Sequence, residues 1–166
     1  LRKMRKSKKE LTTYSEAYSF ALDKLSIRDY SQKELEGKLQ ERGCPSAVLK
    51  EVMTKLLECK FINEEKYAEL VYRGWVSKKY YGRLHLKQYL MKKNVREDYQ
   101  QNILHEFTPA EETDRAEAFL RLQLPKLRMK YKTQEEKLRG AVARALASRG
   151  FGSDVVWSCI DKIGEE

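Results

Sequence analysis

Residues 31–57 read SQKELEGKLQERGCPSAVLKEVMTKLL, and they predict two short helices joined by a tight corner. Ser31 can cap the start of the first helix, and Glu34, three residues later, completes the pattern of a capping box. Leu35 and Leu39 lie one turn apart and therefore share a helix face. Helices this short cannot bury an apolar face by themselves, so the pair needs neighbours.

The corner is predicted by its residue types. Gly43 follows the basic residue Arg42 and can adopt the left-handed conformation that ends a helix. Pro45 blocks continuation of the first helix, and we expect Ser46 to cap the second. The second helix then carries an apolar stripe made of Val48, Leu49, Val52, Met53, Leu56 and Leu57.

Two further copies of this pattern follow in the chain. The first copy is defined by Leu35, Leu39, Arg42, Gly43, Val48, Val52 and Leu56. The second copy has Leu86, Leu90, Lys93, Asn94, Tyr99, Ile103 and Phe107 at the same positions. The third has Val142, Leu146, Arg149, Gly150, Val155, Cys159 and Ile163. Every apolar position stays broadly apolar, and asparagine is the residue that best replaces glycine at a left-handed corner.

A leading helix precedes each pair, so each copy becomes a three-helix module. The fold class is therefore all-α, a tandem array of three three-helix, helix-turn-helix-like repeats that pack in a row. We expect the repeats to span residues 15–62, 63–108 and 109–166, after a basic and disordered arm at residues 1–14.

Further start and stop signals place the remaining helices. We expect Asn63 and Thr108 to cap the leading helices of the second and third repeats. Gly82 should form a corner before the helix that holds the second-copy leucines. Pro125 should kink or end the helix in which it lies, and Ser153 should cap the last helix.

Composition favours a polyanion as partner, and the lack of a phosphate-binding glycine loop or of a GxSxG or HExxH motif argues against an enzyme. The net charge is +9, which suits nucleic acid, a nucleoprotein or an acidic protein face, although a basic protein without such a partner has the same balance. The three cysteines form no CxxC pair, and His85 and His105 have no ligand spacing to them. We therefore expect no metal, no cofactor and no catalytic site, and a reduced, cytoplasmic protein without a membrane segment.

Leu70–Arg96 is the most informative stretch for function. It contains no Asp or Glu, although the chain as a whole is 36% charged, and tyrosines and a tryptophan are interleaved with its cations. Cations neutralise phosphates and aromatic rings can stack on exposed bases, whereas the alternative is solvated lysines around core aromatics. The candidate contacts are Arg73, Lys78, Lys79, Arg83 and Lys87, with Arg42, Lys93 and Arg149 at the repeated corners.

A helix-turn-helix that reads the DNA major groove is a weaker alternative. The second helix of the first copy would present Lys50, Glu51, Lys55 and Glu58, and the two glutamates would face phosphates. The corner cations also have a structural alternative, because a basic residue in the last helical turn favours the helix dipole.

Four separated motifs carry a resemblance to a known family. YSQKELEGKLQERG at 30–43, FINEEKYA at 61–68, YYGRLHLKQYLMKKNV at 80–95 and LASRGFGSDVV at 146–156 occur in this order. They resemble the bacterial RecX family, regulators of the RecA recombinase, over Tyr18 to Ile163. Asn94 stands where the family usually has Gly, and Glu64 stands where Asp is usual; both substitutions preserve cornering and capping. The motif residues carried over are Ser31, Glu34, Leu35, Leu39, Gly43, Tyr67, Ala68, Gly82, Leu86, Leu90, Asn94, Leu146, Gly150 and Phe151.

The resemblance implies an elongated, curved array with a basic concave face. It further implies a monomer that binds the RecA recombinase or its filament on single-stranded DNA and mainly inhibits ATP hydrolysis, strand exchange and filament growth, with weak direct binding to DNA. The alternative is a general basic helical nucleic-acid-binding protein without a recombinase partner.

Overall fold

The computed structural model describes residues 10–163, and within that range the chain forms helices and no strand. The helices are α1 (Tyr14–Ile27), α2 (Gln32–Gln40), α3 (Ser46–Glu58), α4 (Glu64–Val76), α5 (Arg83–Lys92), α6 (Glu97–Glu106), α7 (Pro109–Tyr131), α8 (Glu135–Ser148) and α9 (Ser153–Ile163). The predicted all-α class is confirmed. The first nine residues of the predicted arm lie outside the described residues.

The three predicted corners share one backbone geometry. The corner residues have φ angles of 72°, 54° and 74° at Gly43, Asn94 and Gly150. After each corner an N–H donates back to the carbonyl of the last buried leucine of the preceding helix, from Cys44 to Leu39 at 3.1 Å, from Val95 to Leu90 at 3.1 Å and from Phe151 to Leu146 at 3.4 Å. This pattern of bonds ends a helix at a left-handed residue, so the repeat that the sequence predicts recurs in the backbone.

The chain divides into two compact units, one up to Tyr67 and one from Ala68 onward. The boundary falls inside α4, and the predicted repeat boundaries therefore stay a prediction. The N-terminal unit buries apolar side chains of α1, α2 and α3, of which the core members include Ala17, Ala21, Leu35, Leu39, Val52 and Leu56.

The fold of the N-terminal unit begins earlier than the predicted arm allows. Leu11 is 5% exposed, and its N–H donates to the carbonyl of Arg42 at 2.9 Å. Thr13 caps α1 in a reciprocal capping box with Glu16. Residues 10–14 thus belong to the folded unit, because one buried leucine and one cap anchor them.

The first turn of α4 completes the N-terminal unit. The buried carboxylate of Glu64 accepts the backbone N–H of Gln32 at the start of α2. Lys66 pairs with Asp29 at 3.2 Å, and the buried Tyr67 hydroxyl lies 3.5 Å from the Glu34 carboxylate. Burial raises the pKa of Tyr67 to about 12.

The C-terminal unit contains two groups of buried side chains. The first includes Trp75, Phe107, Leu86 and Leu90, all at most 1% exposed, and the ring centroids of Trp75 and Phe107 are 5.4 Å apart. The second is formed by α7, α8 and α9 and includes Ala116, Phe119, Val142, Leu146, Phe151 and Ile160.

Several capping predictions need correction. Ser31 accepts the N–H of Glu34 at 3.1 Å, but the Glu34 carboxylate binds Arg28 at 2.5 Å, so the capping box is only half formed. Ser46 and Ser153 are the first residues of their helices and not caps. Pro45 occupies the cap position before α3, and at α9 the carbonyl of Gly152 accepts the N–H of Val156 at 3.0 Å.

The helix α7 continues through Pro125, which the sequence predicts to kink or end it. The helix runs on to Tyr131, so the prediction of an end is wrong. Leu124, Leu127 and Tyr131 pack against the buried cluster of α7, α8 and α9. A proline inside a helix costs about 3 kcal/mol, and burial of these side chains on either side of the proline offsets that cost.

Candidate polyanion-binding surface

The acid-free stretch Leu70–Arg96 lies entirely in the C-terminal unit, where it forms most of α4, the connection to α5, and α5 with its corner. Lys78, Lys79 and Lys87 are exposed. The ion pairs of this stretch use its arginines. Within residues 10–163, these three lysines have no carboxylate within the 4.0 Å of an ion pair. Their charges are therefore available to an anionic partner.

An aromatic ladder, defined as Tyr81, His85 and Tyr89, begins just before α5 and continues along one face of that helix. The ring centroids of Tyr81 and His85 are 4.0 Å apart, and those of His85 and Tyr89 are 6.3 Å apart. All three side chains are half-buried. The spacing of four residues places His85 and Tyr89 one turn apart on α5. Tyr81 precedes the helix and extends the strip through its ring contact with His85.

Three predicted cations converge on the aromatic ladder. The Lys78 Nζ lies 4.6 Å from the Tyr89 ring centre, and the Lys93 Nζ lies 5.7 Å from it. The Arg149 guanidinium lies 4.9 Å from the Tyr81 ring centre. Cations over aromatic faces are attracted by the ring quadrupole, which holds long side chains in place. The structure thus brings together cations from the acid-free stretch and from two of the predicted corners.

His85 is held neutral at the centre of the ladder. Its Nδ1 accepts a hydrogen bond from the Trp75 Nε1–H at 2.9 Å, so the ring proton resides on Nε2. Burial lowers the pKa of His85, and the charges of Lys78 and Arg149 lower it further. The positive charge around the ladder therefore comes from the Lys and Arg side chains at neutral pH.

Arg115 stabilises the backbone at the end of α4, next to Lys78. Its guanidinium donates to the carbonyls of Val76 and Lys78 at 3.2 and 3.0 Å, where α4 ends, and lies 4.5 Å from the centre of the buried Trp75 ring. A cation at a helix C-terminus is favourable. Burial lowers the pKa of Arg115. The arginine thereby fixes the backbone that presents Lys78.

Arg83 has internal partners, although the sequence suggests it as a contact. Its guanidinium donates to the carbonyl of Leu104 at 2.5 Å and to the carbonyl of Phe107, at the end of α6. Its Nε lies 3.8 Å from the Glu112 carboxylate. Charge counting along the sequence cannot distinguish such a helix-capping arginine from an exposed one.

Glu112 joins the N-termini of two helices. Its carboxylate is 4% exposed, and its Oε1 accepts the N–H of Arg83 at 2.9 Å and that of Gly152 at 3.0 Å. A carboxylate at a helix N-terminus satisfies otherwise unpaired donors and favours the helix dipole. Gly82 is needed beside it, because a Cβ at this position would lie 2.5 Å from the Cα of Phe151.

The other predicted contacts are distributed more widely. Arg73 is exposed and pairs with Glu69 at 3.7 Å on its own helix. Lys79 lies in the connection between α4 and α5, and Lys87 lies on the outer face of α5. Arg42 belongs to the N-terminal unit, where its guanidinium lies 4.9 Å from the Phe20 ring centre.

The sequence did not predict that His85 belongs to the ladder, that Glu112 caps two helices or that Arg115 binds the end of α4. The spacing of Tyr81, His85 and Tyr89 by four residues is a signal for the ladder that was present in the sequence. For Glu112 and Arg115 there was none, because their partners lie 29 to 40 residues away in the chain.

Residues 10–163 contain no cluster of three or more His, Cys, Asp or Glu side chains with a geometry that could hold a metal ion. None of the helices in this range is long and apolar enough to cross a bilayer.

Comparison with known proteins agrees with the motifs. The family profile described as the first three-helix domain of RecX matches residues 17–56. The regulatory protein RecX of Bacillus cytotoxicus is 27% identical over 150 residues, which cover 90% of this chain and 54% of the relative. That of Deinococcus radiodurans is 28% identical over 147 residues, which cover 89% of this chain and 68% of the relative. The chain thus spans about half the length of the Bacillus relative.

Two solved structures share the fold. The crystal structure of RecX from Lactobacillus salivarius superposes with a TM-score of 0.76 at 23% identity, covering 92% of this chain and 97% of that one. A second crystal structure, of a regulatory protein RecX, superposes with a TM-score of 0.72 at 26% identity, covering 90% and 73%. The comparisons confirm the resemblance to the RecX family that the motifs indicate.

Proposed function

We propose, from the resemblance of this chain to RecX regulatory proteins, that it regulates the RecA recombinase by binding the recombinase or its filament on single-stranded DNA. In this proposal the protein mainly inhibits ATP hydrolysis, strand exchange and filament growth in recombinational DNA repair. It acts as a monomer and as a binding protein without catalysis of its own.

One observation carries the proposal. The exposed Lys78, Lys79 and Lys87 have no carboxylate partner in the described part of the chain, and Lys78 lies over a ring of the half-buried aromatic ladder. A surface that keeps its cations unpaired is suited to a partner that brings the negative charge. Filaments of a protein on single-stranded DNA offer both phosphates and acidic side chains.

The distribution of exposed charges favours a filament over the DNA major groove as the partner. In α3 the exposed residues include Glu51 and Glu58 beside Lys50 and Lys55, so that helix would bring carboxylates to phosphates. The exposed Lys78, Lys79 and Lys87 lie instead on α5 and on the connection before it. Such a surface neutralises charge without presenting a recognition helix.

The second candidate function is general binding of single-stranded nucleic acid. The aromatic ladder favours it, because tyrosine rings next to cations are the usual elements of such sites. The two functions differ in stoichiometry: a general binder acts only when it rivals the DNA in amount, whereas a filament regulator acts when it is scarce.

The test is RecA ATP hydrolysis on single-stranded DNA, with DNA in large excess over this protein. We expect inhibition well below one copy per recombinase. Inhibition that appears only when the protein rivals the DNA would establish competition for phosphates and refute the filament proposal.

A charge-reversal variant tests the surface. Lys78, Lys79 and Lys87 are changed to Glu together, and Arg83 is left intact because it caps α6. We expect loss of inhibition with unchanged helicity. The matched control changes the exposed Lys33, Lys50 and Lys126 to Glu, which also lowers the net charge from +9 to +3. Equal inhibition by both variants would refute the surface assignment.

A further inference from the structure

An apolar groove lies between α8 and α9, away from the acid-free stretch. It is open, has a volume of about 400 Å³, and its lining includes Ala143, Ala147, Phe151, Val156, Trp157 and Arg144. The Trp157 side chain is 61% exposed at its edge. Single exposed apolar residues are common on protein surfaces, so the exposure alone decides nothing.

Comparison of the three copies shows that the position of Trp157 is apolar only in the third. Trp157 corresponds to Lys50 in the first copy and to Gln101 in the second. Both counterparts are exposed. Because the three copies share their core pattern and corner geometry, an exposed position is free to be polar in this fold. The tryptophan is therefore not required by packing.

The opposite wall of the groove changes in the same direction. Ala143 corresponds to Glu36 in the first copy and to Lys87 in the second. Replacing a charged side chain by alanine on α8 opens the space that the indole borders on α9. Two facing positions that both become apolar, one small and one large, form a concave site of the kind that accepts a side chain.

A cation, Arg144, lies at the rim of the groove. Arg144 is exposed, and its guanidinium lies along its own helix, 3.3 Å from the place of a Cβ on Gly140. The ion pair between α8 and α9 is made by Arg139 and Asp161, at 3.5 Å. No carboxylate of residues 10–163 lies within the 4.0 Å of an ion pair with Arg144.

We propose that this groove binds an acidic segment of a partner protein. A bulky apolar side chain of that segment enters between Ala143 and Trp157, and a neighbouring carboxylate pairs with Arg144. Tryptophan and arginine are the residue types that most often dominate protein interfaces. A nucleic acid fits less well, since each bound phosphate needs a cation and the groove offers one beside an apolar wall.

The probe is a fluorescein-labelled peptide, acetyl-Asp-Glu-Leu-Phe-Asp-Glu-amide, whose binding to the whole chain is followed by anisotropy. We expect saturable binding, with a loss of about ten-fold or more in affinity for Ala143→Glu and for Trp157→Lys. Both substitutions introduce the residue that the first copy carries at the same place, so the fold tolerates them. Retained helicity and an unchanged unfolding midpoint verify this.

The charge part of the proposal has its own variant. Arg144→Gln should weaken the acidic peptide but leave the affinity of the Asn/Gln version of the peptide unchanged. The control Met129→Ala removes an exposed apolar side chain of α7 outside the groove and should leave binding unchanged.

Four outcomes would overturn the proposal. The first is the absence of saturable peptide binding, and the second is peptide binding that Ala143→Glu and Trp157→Lys leave unchanged. The third is that the chain binds a twelve-residue oligothymidylate instead of the peptide, and that these variants abolish the binding of the oligothymidylate. The fourth is self-association of the free chain, seen by sedimentation and lost in Ala143→Glu, which would assign the groove to a second copy. Because the lysine surface is intact in every variant, these outcomes are independent of the ATP hydrolysis test.

Discussion

Replacement of Glu112 tests a buried polar contact of the C-terminal unit. Glu112→Ala removes the acceptor of two backbone N–H groups, those of Arg83 and Gly152. Each buried donor left unsatisfied costs about 1–3 kcal/mol, so the free energy of unfolding should fall by about 2–6 kcal/mol. Glu112→Gln keeps an acceptor oxygen but loses the charge at both helix N-termini, and should cost about 1–2 kcal/mol.

Urea unfolding followed by tryptophan fluorescence measures this effect in the C-terminal unit, which contains Glu112. The two tryptophans, Trp75 and Trp157, both lie in the C-terminal unit, so their emission reports that unit. The matched control is Asp114→Asn, which removes an exposed carboxylate two residues away on α7 and should change stability by less than about 0.5 kcal/mol.

A small effect of Glu112→Ala would contradict this prediction. A cost below about 1 kcal/mol for Glu112→Ala, with an unchanged dependence on urea, would mean that water or another side chain replaces the carboxylate. Equal costs for the Ala and Gln variants would assign the effect to the charge and not to the hydrogen bonds.

Two further predictions concern the ladder and the middle corner. The pKa of His85 in the folded chain lies below its ordinary value of 6.5, so the unfolded chain takes up the proton first as the pH falls. The free energy of unfolding should therefore be constant at higher pH and fall as the pH drops below about 6.5. Urea unfolding measured between pH 7.5 and 5 checks this. Asn94 has a φ of 54°, so Asn94→Ala should destabilise the chain by about 1 kcal/mol and Asn94→Gly should stabilise it slightly, as measured by urea unfolding.

Each of these has a control. His85→Gln should remove its share of the pH dependence, whereas the exposed His105→Gln should not; a slope that survives His85→Gln contradicts the first prediction. For the corner, Lys92→Ala in the last turn of α5 should be nearly neutral. An Asn94→Ala variant as stable as the original chain would contradict the second.

The local features of the fold could be predicted because neighbours in the sequence determine them. Gly43, Asn94 and Gly150 adopt the left-handed backbone that their residue types favour, and Thr108 caps α7 as its capping box indicates. At Pro125 the packing of the core outweighs the local preference of proline to end a helix. Pro125 lies inside a helix because apolar side chains on both sides of it are drawn to the same core.

The candidate surface could be predicted as a region but not in its parts. The absence of acidic residues from Leu70 to Arg96 identified the region, since charge composition is a property of sequence. Whether a cation faces solvent or a backbone carbonyl depends on helices distant in the chain. Arg83 and Lys78 look alike in the sequence, yet the first closes the end of α6 and the second stays exposed.

The two carboxylate caps give the array a polarity. Glu64 completes the helix α2 of the copy before it, and Glu112 does the same for α5. In each case the carboxylate comes from the first turn of a later helix, α4 or α7, so α2 and α5 depend on residues that follow them in the chain. A fragment that ended before α4 or before α7 would therefore leave the first N–H of α2 or of α5 without its acceptor.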